Sequence, residues 1–309
     1  MENEAHEIGT VRLENLPSLL ARFSGCWKAC SIFWMQAMGF PILSGIVVSR
    51  WSRHAGAAVE TFCRRNGFSE LLLRLERPGQ RWTKRRGGYL VSVADVPQVV
   101  DEITREGMVT ILLEPASPYM DHYSLTAVVA PTEGIVDVEI VGPGFDASDT
   151  LRGDVLPHER FRLALSRNSN LDHSELKRTH LVSGDEYRQS VQTRLAKIGA
   201  KLKNGPYPEE FLQSVSTRAG LASKGRKFLV ESRQRLLLDN LETYKPISVD
   251  QLQSFLSWLG KLLNLLHGHS VDLGTVAVAG GILESRGLRF WDFYPAANRD
   301  TAILSPRNL

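Results

Sequence analysis

Cysteine is scarce: Cys26, Cys30 and Cys63 are the three in a chain of 309 residues. An odd number, with no second pair and no nearby histidine set, indicates neither a disulfide framework nor a zinc site, so reduced thiols are expected. Long apolar runs are missing too. The longest nearly apolar stretch, "GFPILSGIVV", falls far short of the roughly 20 residues a spanning helix needs. The opening "MENEAHEIGT" is acidic and polar, the reverse of a signal peptide. No excess of one charge sign stands out, since the formal net charge is +3, well below the strong or clustered excess of nucleic-acid binders. These absences lead us to expect a cytoplasmic protein with no membrane and no nucleic-acid partner; its oligomeric state is not legible.

Two nucleotide and nucleophile signatures are also missing. There is no G-x-x-x-x-G-K-[ST], which excludes a P-loop, and no G-x-S-x-G elbow for serine chemistry.

What is present fits one large or two medium globular domains: 43% of residues are hydrophobic and 23% charged. Apolar positions at helical spacing over 15–38 stop at Gly39 and Pro41, and "ILSGIVVS" then reads as a buried strand. A helix near 52–66 follows, then strands at "ELLLRLER", "GGYLVSV", "MVTILLEP", "SLTAVVA" and "GIVDVEIVG". From Asp185 to His267 the pattern becomes helical. Leu252, Phe255, Leu256, Leu259, Leu262, Leu263 and Leu266 form one stripe behind Ser248 and Gln251, a capping-box pair. The stripe implies core packing and needs no cofactor. "TVAVAGG" and "LRFWDFYP" close the chain as a hairpin around a Gly-Gly turn, and 165–184 is expected to be a mobile connection.

Three groups of residues can carry chemistry. "RPGQRWTKRRGGY" sets Arg77, Arg81, Lys84, Arg85 and Arg86 ahead of Gly87 and Gly88. Such a loop can close over a polyphosphate, because guanidinium and ammonium groups pair with its oxygens and glycine lets backbone N–H groups approach; a solvated hairpin tip is the plainer alternative. Glu114, Glu139, Asp272 and Asp292 lie near strand ends, where acids can hold magnesium against phosphates or simply be surface acids. Finally, "EIVGPGFDASDTLRGDVLPHERF" packs carboxylates, arginines and His158 behind a Gly-Pro-Gly turn, more charge than a solvent loop requires. His267 and His269 stand at i and i+2, which do not face each other on a helix.

Taken in order, these segments resemble the nucleotide-binding region of phosphoenolpyruvate synthase and pyruvate phosphate dikinase, a branch of the ATP-grasp architecture. "SGCWKACSIFWMQAMGFPILSGIVVS" resembles that family's opening, with Lys28 at its phosphate-contacting lysine and Gly45 at a turn. "LLLRLE" is similar to its "hAVRSS" strand and puts Arg74 at the phosphate-binding arginine. "TILLEPAS" resembles the strand bordering the adenine pocket, with Glu114 at the hinge position. The 139–161 stretch resembles the glycine turn beside bound nucleotide, onto which fall Glu139, Gly142, Gly144, Gly153 and Pro157. "SVDLGTVAVAGGILESRGLRFWDFYPAANRDT" looks like the closing hairpin.

The departures are specific. The family's closing Glu is Gly274 here, its Gln is Asp292, and the two serines after its arginine are Leu75 and Glu76. No phosphohistidine or pyruvate-binding segment is recognised, so the full dikinase reaction is not expected on this chain.

The resemblance therefore implies an α+β, ATP-grasp-like two-lobed nucleotide-binding fold. Its N-terminal lobe would span 1–107 and its C-terminal lobe 108–309, the latter including a helical insert at 185–267. It implies ATP and Mg2+ as cofactors and a nucleotide and an unidentified small-molecule acceptor as partners. Lys28 and Arg74 would be the catalytic residues. Lys28, Arg74, Arg85, Arg86, Glu114, Glu139, Gly142 and Gly144 would hold nucleotide, and Asp292 with Glu139 would hold metal. The expected activity is phosphotransfer, or ligation through an acyl phosphate; a non-catalytic nucleotide-binding or degenerate interaction protein is the alternative.

Overall fold

Strands that read as unbroken apolar runs are buried on both faces, and strands that alternate are buried on one. Both kinds occur in the computed structural model. It describes residues 4–79, 89–114, 122–130, 134–145, 149–150, 155–164, 176–203, 231, 233–268, 276–283 and 287–295. The chain divides into two compact units, Met1–Ser117 with Gly199–Glu231, and Pro118–Ile198 with Ser232–Leu309.

The first unit holds an antiparallel sheet of order β1-β2-β5-β3-β4, with β1 Ala5–Glu7, β2 Gly45–Val48, β3 Glu70–Glu76, β4 Tyr89–Ser92 and β5 Val109–Leu113. Strand β5, placed by the sequence reading in the second lobe, is the middle of this sheet. One face carries Ile46, Val48, Leu71, Leu73, Val91 and Leu112 against α3 (Arg53–Asn66) and α4 (Val96–Arg105). Helix α3 starts where the Ser52 side chain accepts from the Ala55 N–H and stops at Gly67 in the left-handed region. The other face carries the row His6, Val47, Ile111 and Arg74. His6 meets Phe23, which packs on Phe33 of the helix that follows.

The stretch 15–38 is two helices, α1 (Leu16–Arg22) and α2 (Trp27–Ala37), not one. Between them Gly25 has φ +86, and a Cβ there would lie 2.9 Å from the Gly79 backbone nitrogen. Only glycine fits that approach without strain.

The second unit holds a six-stranded antiparallel sheet of order β11-β10-β6-β7-β8-β9. Its strands are β6 His122–Ala130, β7 Ile135–Val141, β8 Glu159–Ala164, β9 Lys177–Leu181, β10 Val276–Leu283 and β11 Gly287–Pro295. One face is apolar: Phe293, Val278, Ala127, Val138 and Phe161 stand in register across five strands and are all buried. The helix Val249–Gly268 packs there, with Phe255 stacked on Phe290 at 5.7 Å. At the described side chains the expected stripe is core, since Leu252, Phe255, Leu256, Leu259, Leu262 and Leu263 are all buried; the Leu266 side chain lies outside the described residues. The expected capping box forms: Ser248 N–H donates to Gln251 Oε1 (3.2 Å) and Gln251 N–H to Ser248 Oγ (3.3 Å). Ser183 and Glu186 build a second one ahead of the helix Gly184–Lys203.

Two further sequence readings are corrected. The connection expected over 165–184 contains β9, an edge strand paired to β8. Gly280 and Gly281 lie inside β10 rather than in the hairpin turn, opposite Phe290 and Arg289, where a Cβ on Gly280 would press on the Arg289 carbonyl oxygen at 2.8 Å.

Candidate functional site

In the first unit, the first turn of α2 and the end of β3 meet. Helical N–H groups at a first turn have no intrahelical acceptor. Here the Lys28 N–H donates to Glu76 Oε1 (2.8 Å) and the Ala29 N–H to Glu76 Oε2 (3.1 Å). Glu76 and Arg74 are two apart on β3 and so share a face. Of the residues assigned to phosphate by resemblance, Lys28 thus gives its backbone N–H to a carboxylate that the resemblance did not assign, and Arg74 stands on the same face of the strand that carries it. Arg74 Nε is buried and makes no hydrogen bond. The Gly79 N–H donates to the Gly25 carbonyl (3.0 Å), tying the strand's exit to the turn before α2. Burial, and then the Glu76 charge, pushes the Cys30 thiol up to about 12 and raises Cys26 as well. All three cysteines are free and buried, and elevated thiol pKa values make Cys26 and Cys30 inert as nucleophiles.

In the second unit, the face opposite the apolar core carries a polar row. Asp292, Ala279, Thr126, Glu139, Arg160 and His180 are successive register partners across β11, β10, β6, β7, β8 and β9. Arg160 donates to Glu139 Oε1. One step along, Arg162 clamps Asp137 through Nε (2.8 Å) and Nη2 (3.0 Å). Thr126 Oγ1 is buried and has no hydrogen-bond partner. Asp292 heads the row by its backbone; its side chain lies outside the described set. Three strand spacings separate it from Glu139, roughly 14 Å at ~4.8 Å each. Among the described residues, no group of three or more His, Cys, Asp or Glu side chains is placed to hold a metal ion.

The described charged residues of the 139–161 stretch are internally paired. His158 is fully buried in a cage of Phe145, Tyr187 and Tyr244, with ring centroids at 4.6, 4.8 and 5.0 Å. Its Nδ1 accepts from the Gly142 N–H (3.0 Å) and its Nε2 lies 3.2 Å from Ser190 Oγ, whose hydroxyl is itself given to the Tyr187 carbonyl (2.8 Å). That network assigns the proton to Nε2. Burial, with His180 nearby, lowers the imidazole to about 3, so it is neutral at ordinary pH. Glu159, also fully buried, accepts at Oε1 from the Tyr244 hydroxyl (2.8 Å) and the Ile247 N–H (2.9 Å), and Arg178 Nη2 is 3.2 Å from Oε2. Asp149 and Arg194 form a buried pair at 2.8 Å.

The two glycines of this stretch have packing duties. A Cβ on Gly142 would sit 2.9 Å from Tyr244 Cε2, and one on Gly144, at φ +86, would sit 2.8 Å from Leu237 Cγ. Glu114 directly follows β5, nearly fully buried, with its N–H on the Ser44 carbonyl (2.8 Å). Arg81, Lys84, Arg85, Arg86, Gly87, Gly88, Gly153, His269, Asp272 and Gly274 lie outside the described residues, as does the His267 side chain.

Sequence reasoning assigned no role to Glu76, Thr126 or Arg160. The available signal was strand periodicity: Glu76 is two positions from Arg74, and Thr126 sits in the alternating run of β6.

No family model and no curated protein matches the chain. The resemblance to phosphoenolpyruvate synthase and pyruvate phosphate dikinase therefore rests on the quoted segments alone. Among solved structures, the D-cycloserine synthetase DcsG is similar at a TM-score of 0.39 and 12% identity, over 95% of this chain and 73% of that one. D-alanyl-alanine synthetase A from Vibrio cholerae O1 gives 0.38 and 8%, over 92% and 58%. The purK product, N5-carboxyaminoimidazole ribonucleotide synthetase as its ADP complex, gives 0.34 and 11%, over 90% and 46%. The chain spans about half the length of these last two, and a likeness this slight carries no argument about activity. Among the described residues no helix is long and apolar enough to cross a membrane.

Proposed function

We propose that the chain is an ATP-grasp-type enzyme that binds ATP with magnesium and passes the terminal phosphoryl group to a small-molecule acceptor. The observation that supports this is the cross-strand row in which Asp292 and Glu139, both named from sequence as metal acids, stand with Thr126 between them. Magnesium takes hard oxygen ligands and commonly only one or two carboxylates, so the donor chemistry fits. Their backbones stand roughly 14 Å apart by strand spacing, so we give the two acids separate roles. Asp292 is the proposed magnesium ligand, and Glu139 serves the site from a separate position, held in place by Arg160.

Bound magnesium would supply charge neutralisation on the phosphate oxygens. The chain's own contribution is positioning: Arg74, Arg85 and Arg86 pair with phosphate oxygens, and catalysis comes from orientation and electrostatics rather than from a protein nucleophile. If the acceptor is a carboxylate, its oxygen attacks the γ-phosphorus and ADP leaves. An amine then attacks the acyl carbon, phosphate leaves, and the net reaction is ligation.

A second reading, a non-catalytic nucleotide-binding or interaction protein, is favoured by Glu139 being already ion-paired and by Gly274 in place of the family's closing Glu. Calorimetric titration with ATP, with and without magnesium, together with a turnover assay, separates the two. ATP binding that magnesium strengthens, with magnesium-dependent turnover lost in Asp292→Asn while metal-free ATP binding persists, is the expected result. Turnover retained in that variant removes Asp292 from the site, and no ATP binding by the unmutated protein leaves only the interaction role.

A further inference from the structure

We infer that Glu76 is the resident anion at the start of α2, and that it excludes phosphate from the main-chain amides beside Lys28. This takes its ligand from the ATP reading above, but it departs from the role that the resemblance gives to Lys28.

The amides of a first helical turn lack acceptors and lie at the positive end of the helix dipole, so an anion is their usual partner. In this chain the anion is internal. The two carboxylate oxygens of Glu76 take one amide each, Lys28 at 2.8 Å and Ala29 at 3.1 Å, from a strand 48 and 47 positions further along. Both oxygens are engaged, so the carboxylate is oriented rather than merely nearby. A phosphate brought to the same two amides would have to displace it or sit against its charge.

Three further observations hold the carboxylate in place and mark its charge. The Gly79 N–H bonds the Gly25 carbonyl at 3.0 Å, three residues beyond Glu76 and three before Lys28, so strand exit and helix start are pinned on either side of it. Gly25 adopts φ +86 with no room for a side chain against Gly79, which makes that approach specific to glycine. The Cys26 and Cys30 thiols are both raised by the Glu76 charge in addition to burial. In the family that the sequence resembles, the position of Glu76 is a serine, which carries no charge. Phosphate contacts in this part of the chain would then come from side-chain cations such as Arg74 and not from the helix amides.

The test uses inorganic pyrophosphate as the probe and the backbone amide resonances of Lys28 and Ala29 in the full chain as the readout. In the unmutated protein those two resonances should stay put while pyrophosphate is titrated. In Glu76→Ser they should move saturably, with pyrophosphate binding at least tenfold tighter than in the unmutated protein. Saturable movement in the unmutated protein overturns the inference. So does a lack of movement in both proteins, since Glu76 is then not what keeps the anion away. Should the serine variant fail to fold, Glu76→Gln keeps one acceptor oxygen without the charge and is read in the same way. Failure of the ATP reading shows separately, as an unmutated protein that does not bind ATP, and it leaves both amide results interpretable.

Discussion

Replacing His158 by glutamine should remove one proton from the pH dependence of stability. The imidazole sits fully buried among Phe145, Tyr187 and Tyr244, with Nδ1 occupied by the Gly142 N–H. Burial and the nearby His180 depress it from 6.5 to about 3 in the folded chain. The unfolded chain therefore binds a proton that the folded chain refuses throughout that window. Stability contributed by the neutral ring is fully present above the unfolded value near 6.5 and is lost as pH falls toward 3, at ~1.4 kcal/mol per unit. From about pH 7.5 to about pH 5 the loss sums to about 2 kcal/mol. Urea unfolding across that range, for the unmutated protein and for His158→Gln, measures the difference. Glutamine does not titrate, and the remaining groups, His180 and Glu159 among them, are common to both proteins. The variant should be less stable at neutral pH yet flatter by about one proton below pH 6.5. Parallel pH profiles would refute the argument, because they would mean that the ring takes its proton without leaving the cage.

Two further substitutions test the packing. Gly142→Ala forces a methyl group to within 2.9 Å of the Tyr244 ring, which is tied through its hydroxyl to Glu159. It should cost about 1–3 kcal/mol in urea unfolding without any ligand; unchanged stability combined with weakened nucleotide binding would return Gly142 to the ligand role that the resemblance gives it. Leu259→Asp puts an unpaired charge at a fully buried position of the helix Val249–Gly268 and should lower the thermal midpoint sharply or prevent folding, whereas a soluble variant with an unchanged midpoint would show that face to be exposed.

Local pattern was enough for several elements. The leucine stripe behind Ser248 and Gln251 determined a capped helix with one buried face, because 3.6-residue periodicity and a reciprocal cap are both written within a few positions. The runs in β3, β5, β6 and β7 were legible as strands for the same reason, since apolar or alternating β-branched sequence has few other ways to bury itself. The split between α1 and α2 was not legible. The glycine between the two helices, Gly25, is required by the close approach of Gly79, 54 positions later in the sequence. Edge strand β9, exposed and rich in cations, carries little hydrophobic signal and read as a connection. For the site, sequence named Lys28, Arg74, Glu139 and Asp292 as chemistry-bearing residues, but their partners are tertiary. Glu76 reaches Lys28 across 48 positions, Arg160 meets Glu139 through strand register, and His158 finds its acceptor role only where Gly142 and Ser190 are brought to its two nitrogens. Composition decides which charges a chain contains. Register and helix docking decide which of those charges neutralise one another and which remain for a ligand, because a strand shifted by one residue turns every side chain to the opposite face.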